Sequence, residues 1–164
     1  MNALNLENIN RQAPYKVTVD RAHPHLFYFH TDYDVDYEIC IKANDTFIPS
    51  GAYALDIRNK LNQPSPGDPK FRQTLMAIVE EFFRQNNDVM LYVTETKDKK
   101  QASRNRLFVR WFNTYEHREL YVIKTAEGKM NGQMNFLAII LRKDNPRLQQ
   151  AFEEFDETIA FLFD

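Results

Sequence analysis

The chain has 164 residues, which fits one domain and is long enough to bury an independent core. Its 21 basic and 23 acidic residues give a formal net charge of −2, which argues against a general polyanion binder. The lone cysteine, Cys40, excludes an intrachain disulfide and favours a reducing compartment. The start lacks a signal-peptide pattern and no apolar run reaches membrane-spanning length, so we expect a cytoplasmic protein without a membrane segment.

The N-terminal part of the chain is predicted to form four strands after a polar, Asn-rich start. Residues 1–14 end in a proline and are predicted to be a flexible arm, which leaves 15–164 as a single α+β domain. Aromatic and β-branched residues concentrate in the four predicted strands, 15–19, 26–31, 35–43 and 52–57.

A helix is predicted over 69–86, because Asp68 offers an N-cap carboxylate and Pro69 suits the first helical position. The following run, 89–93, is apolar throughout, as is typical of a strand covered on both faces. The helix therefore joins strands 52–57 and 89–93, and such a βαβ unit should be right-handed with parallel strands.

The C-terminal part is predicted to form a second helix over about 98–115, a hairpin of strands 119–126 and 133–141, and a last helix that begins near Pro146. The element order is then β-β-β-β-α-β-α-β-β-α. The flanking hairpins should be antiparallel. The sequence therefore predicts an α+β fold with a single mixed, mostly antiparallel sheet and three helices.

Basic and aromatic residues alternate in 97–112, which reads KDKKQASRNRLFVRWF. A helical wheel places most arginines opposite one apolar arc, so the stretch predicts an amphipathic helix with its rings in the core. The residues of that arc are Leu107, Phe108, Trp111, Phe112 and Tyr115. A platform on which nucleic-acid bases stack needs exposed rings, so this pattern disfavours a nucleic-acid partner.

Arg104 is the exception, since the wheel places it at the centre of the apolar arc. There its guanidinium must pair or face a ligand. The structural interpretation is an ion pair with Glu95 or Asp98. The functional interpretation is a pocket, because ligands gather beyond the carboxyl ends of parallel strands and near helix N-termini. The candidate ligand-binding residues are Tyr92, Glu95, Asp98, Gln101 and Arg104.

Histidines and aspartates near the predicted hairpin raise the hypothesis of a metal site. These residues are His23, His25, His30, Asp32, Asp34 and Asp36. Their spacing matches no known closed site, so we predict no bound metal. Cys40 has no histidine at a telling distance, and no catalytic motif is recognisable. We therefore assign no catalytic residue and no cofactor, and the sequence favours a protein that is not an enzyme.

The run from Val89 to Phe112 resembles an uncharacterised bacterial family of small single-domain proteins. The resemblance extends over most of the chain from about residue 25 and implies no known activity. It is carried by Tyr92, Asp98, Gln101, Arg104 and the R-L-F-x-x-W-F run of 106–112.

The element order from about residue 26 is similar to the later part of the GNAT N-acetyltransferase fold. The run D-x-x-Q-A-x(5)-F-x-R-W-F at 98–112 resembles that superfamily's N-x-x-A…Y-x-K-x-G-F segment, with Phe108 at the tyrosine. GNAT proteins hold the CoA pyrophosphate on backbone N–H groups of a glycine-rich loop. The matching loop here, 63–69, has one glycine, three prolines without an N–H, and Asp68, which repels phosphate. The resemblance thus implies a relative without CoA.

These observations favour a binding or regulatory domain that acts through protein contacts without catalysis. The sequence identifies neither the protein partner nor the oligomeric state. A GNAT-like acyltransferase, or an acyl-CoA or nucleotide binder with a degenerate phosphate loop, is the first alternative. A nucleic-acid-associated protein is the second.

Overall fold

The structure is a computed structural model that describes residues 1–61, 66–95 and 99–163, and it describes only the backbone of residues 99 and 100. Four α-helices lie in the described part of the chain: α1 Leu6–Gln12, α2 Pro69–Gln85, α3 Lys99–Asn113 and α4 Leu148–Leu162. Seven strands form one mixed sheet: β1 Thr18–Val19, β2 Leu26–His30, β3 Asp36–Ala43, β4 Tyr53–Asn59, β5 Met90–Glu95, β6 Tyr121–Met130 and β7 Gln133–Arg142. A short 3-10 helix, Arg118–Leu120, precedes β6.

The strand order is β1-β2-β3-β4-β5-β7-β6. β4 and β5 run parallel, with Tyr53 opposite Met90 and Ala54 opposite Leu91. The predicted parallel neighbours joined by a helix are therefore confirmed. The pairs β1–β2, β2–β3, β5–β7 and β6–β7 are antiparallel, which confirms the α+β class and the mixed sheet.

The β6–β7 hairpin closes through Asn131 and Gly132, whose φ angles are 52° and 78°. Both values lie in the left-handed region, which Asn and Gly adopt at low cost. Met130 pairs directly with Gln133, so the connection is a two-residue turn. The predicted hairpin of these two strands is confirmed.

The start of α2 also follows the predicted local chemistry. The Asp68 side chain caps the helix by accepting a hydrogen bond from the Lys70 backbone N–H at 3.0 Å, and Pro69 is the first helical residue. No helix within the described ranges is long and apolar enough to cross a lipid bilayer.

The sequence predicted three helices, and the fourth lies in the segment predicted to be a flexible arm. The Asn5 side chain caps α1 by accepting a hydrogen bond from the Asn8 backbone N–H at 3.0 Å. Ile9 of this helix is fully buried. The predicted count of three helices was wrong. The polar residues of this segment suggested a flexible arm, but one of them, Asn5, caps a helix.

Two compact units divide the chain. One comprises Met1–Lys42 and Leu55–Asn87, and the other comprises Ala43–Ala54 and Asp88–Asp164. The first unit contains α1, α2, β1, β2 and most of β3 and β4; the second contains α3, α4, β5, β6 and β7. The assignment of 15–164 to one domain stays a prediction.

In the second unit, successive residues of β5 face two different helices. The Tyr92 ring stacks on Phe108 of α3, with ring centroids 4.2 Å apart. Leu91 belongs to a buried cluster that includes Phe155 of α4. Because neighbouring strand residues point to opposite faces, α3 and α4 cover opposite faces of β5.

Candidate functional site

The buried face of α3 differs from the predicted one. Asn105, Phe108 and Phe112 are buried, whereas Leu107 is 38% exposed and Trp111 is only half-buried. The face that packs on the sheet is therefore rotated by about 60° around the helix axis from the predicted arc. The prediction that Leu107 and Trp111 lie in the core was wrong for Leu107 and only partly met by Trp111.

Arg104 lies at the surface rather than at the centre of an apolar face. The wheel placed it centrally because Leu107 and Trp111 shifted the predicted arc towards it. Within the described part of the chain, its guanidinium forms no ion pair with Glu95. The other predicted partner, Asp98, lies outside the described residues.

A buried polar contact sets the rotation of α3. The Thr94 hydroxyl donates a hydrogen bond to Asn105 Oδ1 at 2.8 Å, and Gln101 Nε2 donates to the same oxygen at 3.1 Å. A buried amide needs such partners, since an unsatisfied polar group in the core is costly. Asn105 was not among the predicted residues, although it lies three and seven residues before Phe108 and Phe112 and so falls on their side of the helix.

The five predicted ligand-binding residues do not share one environment. Tyr92 is buried between the rings of Phe108 and Phe136. Gln101 is half-buried beside Asn105, and Glu95 and Arg104 are exposed. Of the set, the structure thus places one residue in the core, one in the Asn105 contact and two at the surface, while Asp98 lies outside the described residues. Their role as a ligand pocket stays a prediction.

Apolar and basic side chains share the solvent-facing side of α3. Arg104, Leu107 and Trp111 follow one another at spacings of three and four, and the exposed Arg106 and Arg110 flank them. We call these five residues the α3 outer face. It presents a narrow apolar strip between arginines, on a helix whose residues 99–113 include five Lys or Arg and no Asp or Glu.

A polar cleft of about 630 Å³ lies at the β3–β4 connection, where Ser50, Asp88 and Arg147 line it. Arg147 Nη1 donates to Ser50 Oγ at 2.8 Å and to its carbonyl oxygen at 3.0 Å. Glu154 accepts hydrogen bonds from the Ser50 hydroxyl at 2.5 Å and the Ser50 N–H at 3.1 Å. The arginine and the carboxylate therefore clamp this loop to the start of α4, and both are engaged within the protein.

His30 is held by carboxylates at both ring nitrogens. Nδ1 lies 2.7 Å from Asp36 Oδ1, and Nε2 lies 2.9 Å from Asp34 Oδ1. The hydrogen bond with Asp36, more than that with Asp34, raises the pKa of His30 above its usual value. This arrangement favours a protonated ring with no lone pair for a metal. Among the described residues, no group of three or more His, Cys, Asp or Glu side chains is placed to hold a metal ion.

Cys40 is buried in β3, and burial raises the pKa of its thiol. A raised pKa disfavours the thiolate, which is the nucleophilic form. The geometry therefore gives this cysteine the properties of a core residue.

The fold and these surfaces define an α+β domain with an open mixed sheet and a helix face on which exposed arginines and Leu107 lie beside the half-buried Trp111. The chain belongs to a family of unknown function, DUF6169, whose model matches residues 67–157. The match includes α2, α3 and α4 as far as Glu157, and so includes the α3 outer face. No curated protein and no solved structure matches the chain. Membership in an uncharacterised family is confirmed, whereas the GNAT likeness and the bacterial origin stay predictions.

Proposed function

We propose that this protein is a non-catalytic binding domain that acts through protein contacts, and that its α3 outer face binds an acidic protein segment. The observation that carries the proposal is the exposure of Leu107, at 38%, between arginines and beside the half-buried Trp111. A helix that served only to cover the sheet would turn these two large apolar side chains inward.

The composition of the α3 outer face supports a protein partner. Tryptophan and arginine are enriched among the residues that dominate binding energy at protein interfaces. Trp111 offers a large apolar area that is already partly ordered by the fold. Arg104, Arg106 and Arg110 can bind carboxylates through two parallel hydrogen bonds each.

Charge supports an acidic partner. The chain as a whole carries a net charge of −2, so the basic character of α3 is a local feature of one helix. A basic patch speeds encounter with an acidic surface and disfavours basic partners. Binding should therefore weaken as salt is added, because exposed charges are screened.

The geometry around Asp68 bears on the acyl-CoA alternative. Its carboxylate caps α2 through the Lys70 backbone N–H, and its second oxygen accepts a hydrogen bond from the Tyr15 hydroxyl at 2.6 Å. A carboxylate therefore occupies the helix N-terminus near which the GNAT resemblance would put a phosphate, and two anions at one helix end repel each other. This favours the binding domain over the acyl-CoA binder.

Trp111 is the only tryptophan in the chain, so its fluorescence reports directly on the α3 outer face. The test titrates the protein with a synthetic acidic amphipathic helical peptide that carries phenylalanine, and separately with single-stranded oligo(dT). The proposal expects a saturable change in Trp111 emission with the peptide, which is lost in the double variant Arg106→Glu, Arg110→Glu.

The matched control is Lys129→Glu, a reversal of an exposed charge on β6, which should bind the peptide like the wild type. Emission that responds to oligo(dT) with a steep salt dependence, and not to the peptide, would instead support the nucleic-acid alternative. No response to either probe would refute a binding role for this face.

A further inference from the structure

We infer that the acidic segment recognised by the α3 outer face is helix α4 of a second copy of this chain, so that copies associate head to tail. The inference rests on the proposed function, because it names the partner of the same surface. It is carried by a second exposed surface that complements the first in both charge and apolar content.

That second surface lies on the solvent side of α4. Glu153, Glu157 and Phe161 follow one another at intervals of four residues and are all exposed, and Phe161 is 87% exposed. We call these three residues the α4 outer face. The helix, residues 148–162, has no Lys or Arg, so its carboxylates are not neutralised along the helix itself.

The carboxylates of α4 divide into those used within the protein and those left for a partner. Glu154 accepts two hydrogen bonds from Ser50, and Asp156 pairs with Lys124 at 2.7 Å. Glu153 accepts only a side-chain hydrogen bond from Gln149 on the same helix, at 3.1 Å, in the part of the chain that the structure describes. Glu153 and Glu157 are therefore the acidic groups that α4 presents outward.

An apolar feature accompanies this charge. Phe161 borders a shallow groove of about 320 Å³ that is also lined by Thr46, Glu157, Thr158 and Leu162. A phenylalanine at this exposure leaves a large apolar area in water, which is unfavourable in an isolated molecule. The groove beside it can accept an apolar side chain such as Leu107 from another copy.

The two outer faces match as partners. The α3 outer face carries three arginines with a leucine and a tryptophan, and the α4 outer face carries two glutamates with a phenylalanine. Both helices have 15 residues, so one can lie along the other over its full length. Arginine–glutamate pairs at the rim and aromatic contacts in the middle are the usual arrangement of a small interface.

The position of the two helices determines the kind of assembly. Because α3 and α4 cover opposite faces of β5, a contact between α3 of one copy and α4 of the next leaves one outer face free at each end. Such a heterologous contact can continue, and open chains of copies form rather than a closed dimer. One helix against another is a small interface, so we expect association at protein concentrations on the order of 0.1 mM.

Sedimentation velocity at low salt tests this inference with charge-reversed variants. For the wild type we expect a mean mass that keeps rising with concentration. The variant Arg106→Glu, Arg110→Glu and the variant Glu153→Lys, Glu157→Lys should each stay monomeric. An equimolar mixture should associate again, because the native α4 outer face of one variant meets the native α3 outer face of the other, and the two reversed faces are also opposite in charge.

The mixture also shows that both variants are folded, since a misfolded copy could not restore the contact. Lys129→Glu is the control and should associate like the wild type. A wild type that remains monomeric, or a mixture that fails to associate, would overturn the inference. If the acidic peptide still alters Trp111 emission in that case, the proposed function survives with a different partner; if it does not, both fail.

Discussion

The Glu81 side chain attaches α1 to α2, although α1 was not predicted from the sequence. It is fully buried, and it accepts hydrogen bonds from the Asn5 backbone N–H at 3.1 Å, from Asn8 Nδ2 at 3.2 Å and from Arg84 Nη1 at 2.6 Å. Burial alone raises the pKa of this carboxyl, but the hydrogen bonds from Arg84, Asn8 and Asn5 outweigh it, and the pKa is lowered.

We predict that Glu81→Gln lowers the free energy of unfolding by ~2 kcal/mol. The loss stays below the 3–5 kcal/mol of a fully buried pair because Arg84 is 40% exposed. A lowered folded-state pKa contributes stability above the unfolded value of 4.5, and this is lost as the pH falls through the folded value. Urea melts between pH 3 and pH 7 should therefore show a weaker pH dependence in Glu81→Gln.

Glu80→Gln is the matched control, since Glu80 pairs with the same Arg84 at 3.3 Å but is partly exposed. It should cost less than ~1 kcal/mol, as exposed pairs do. Hydrogen exchange of α1 should rise in Glu81→Gln and not in Glu80→Gln. Equal losses in the two variants would contradict the anchoring role of Glu81.

At the scale of elements, α3 shows that the periodicity of apolar residues can predict a helix but not which of its sides is buried. A wheel identifies residues that share a side of a helix, but several overlapping arcs of α3 contain aromatic residues. The sheet selects the arc that contains Asn105, because Thr94 of β5 donates a hydrogen bond to its side-chain oxygen, as Gln101 does from within the helix. The helix itself was predictable, whereas its rotation, and with it the α3 outer face, was not.

This rotation predicts effects of different size on the free energy of unfolding for substitutions at two adjacent residues. Asn105→Ala should cost about 1–3 kcal/mol, because it removes the hydrogen-bond acceptor of the Thr94 hydroxyl in a poorly solvated place. Arg104→Met should change the free energy of unfolding by no more than about 0.5 kcal/mol, as surface substitutions do. Urea melts measure the free energy of unfolding of both variants. A larger loss for Arg104→Met would instead support the predicted arc, in which Arg104 is buried.

Gly128 lies within β6 and is the only residue of that strand without a side chain. A Cβ atom at this position would overlap the Phe163 ring, at its Cδ2 and Cε2 atoms. Glycine in a strand interior often marks such a close approach. The absence of a side chain at Gly128 therefore makes room for the aromatic ring that follows α4.

We predict that Gly128→Ala lowers the free energy of unfolding by about 1–3 kcal/mol, the usual cost of overpacking. In a Phe163→Ala background the same change should cost much less, because the obstructing ring is gone. Gly67→Ala is the control, since its added Cβ meets no atom within 4 Å. Thermal melts would compare the wild type, Gly128→Ala, Phe163→Ala and the double variant. If the losses of the two single variants add up to the loss of the double variant, the explanation is contradicted.

At the scale of the whole molecule, the proposed function predicts that the protein does not bind CoA. Acetyl-CoA at 1 mM should leave the melting temperature unchanged, because the Asp68 carboxylate occupies the N-terminus of α2. A ligand with a Kd of about 1 µM would stabilise the protein by about 4 kcal/mol at that concentration. A clear rise in Tm in a thermal-shift assay would contradict the proposal and favour the acyl-CoA alternative.

The sequence by itself determined the order of the elements after α1, the parallel pairing of β4 and β5, the Asp68 cap and the β6–β7 hairpin. Each of these depends on neighbouring residues or on a short crossover, so local chemistry suffices. Only the tertiary structure decided that α1 packs on Glu81 and that α3 turns Asn105 inward and Leu107 outward. Those outcomes depend on contacts with residues far away in the sequence. A local pattern carries no information about such contacts, and they can override it.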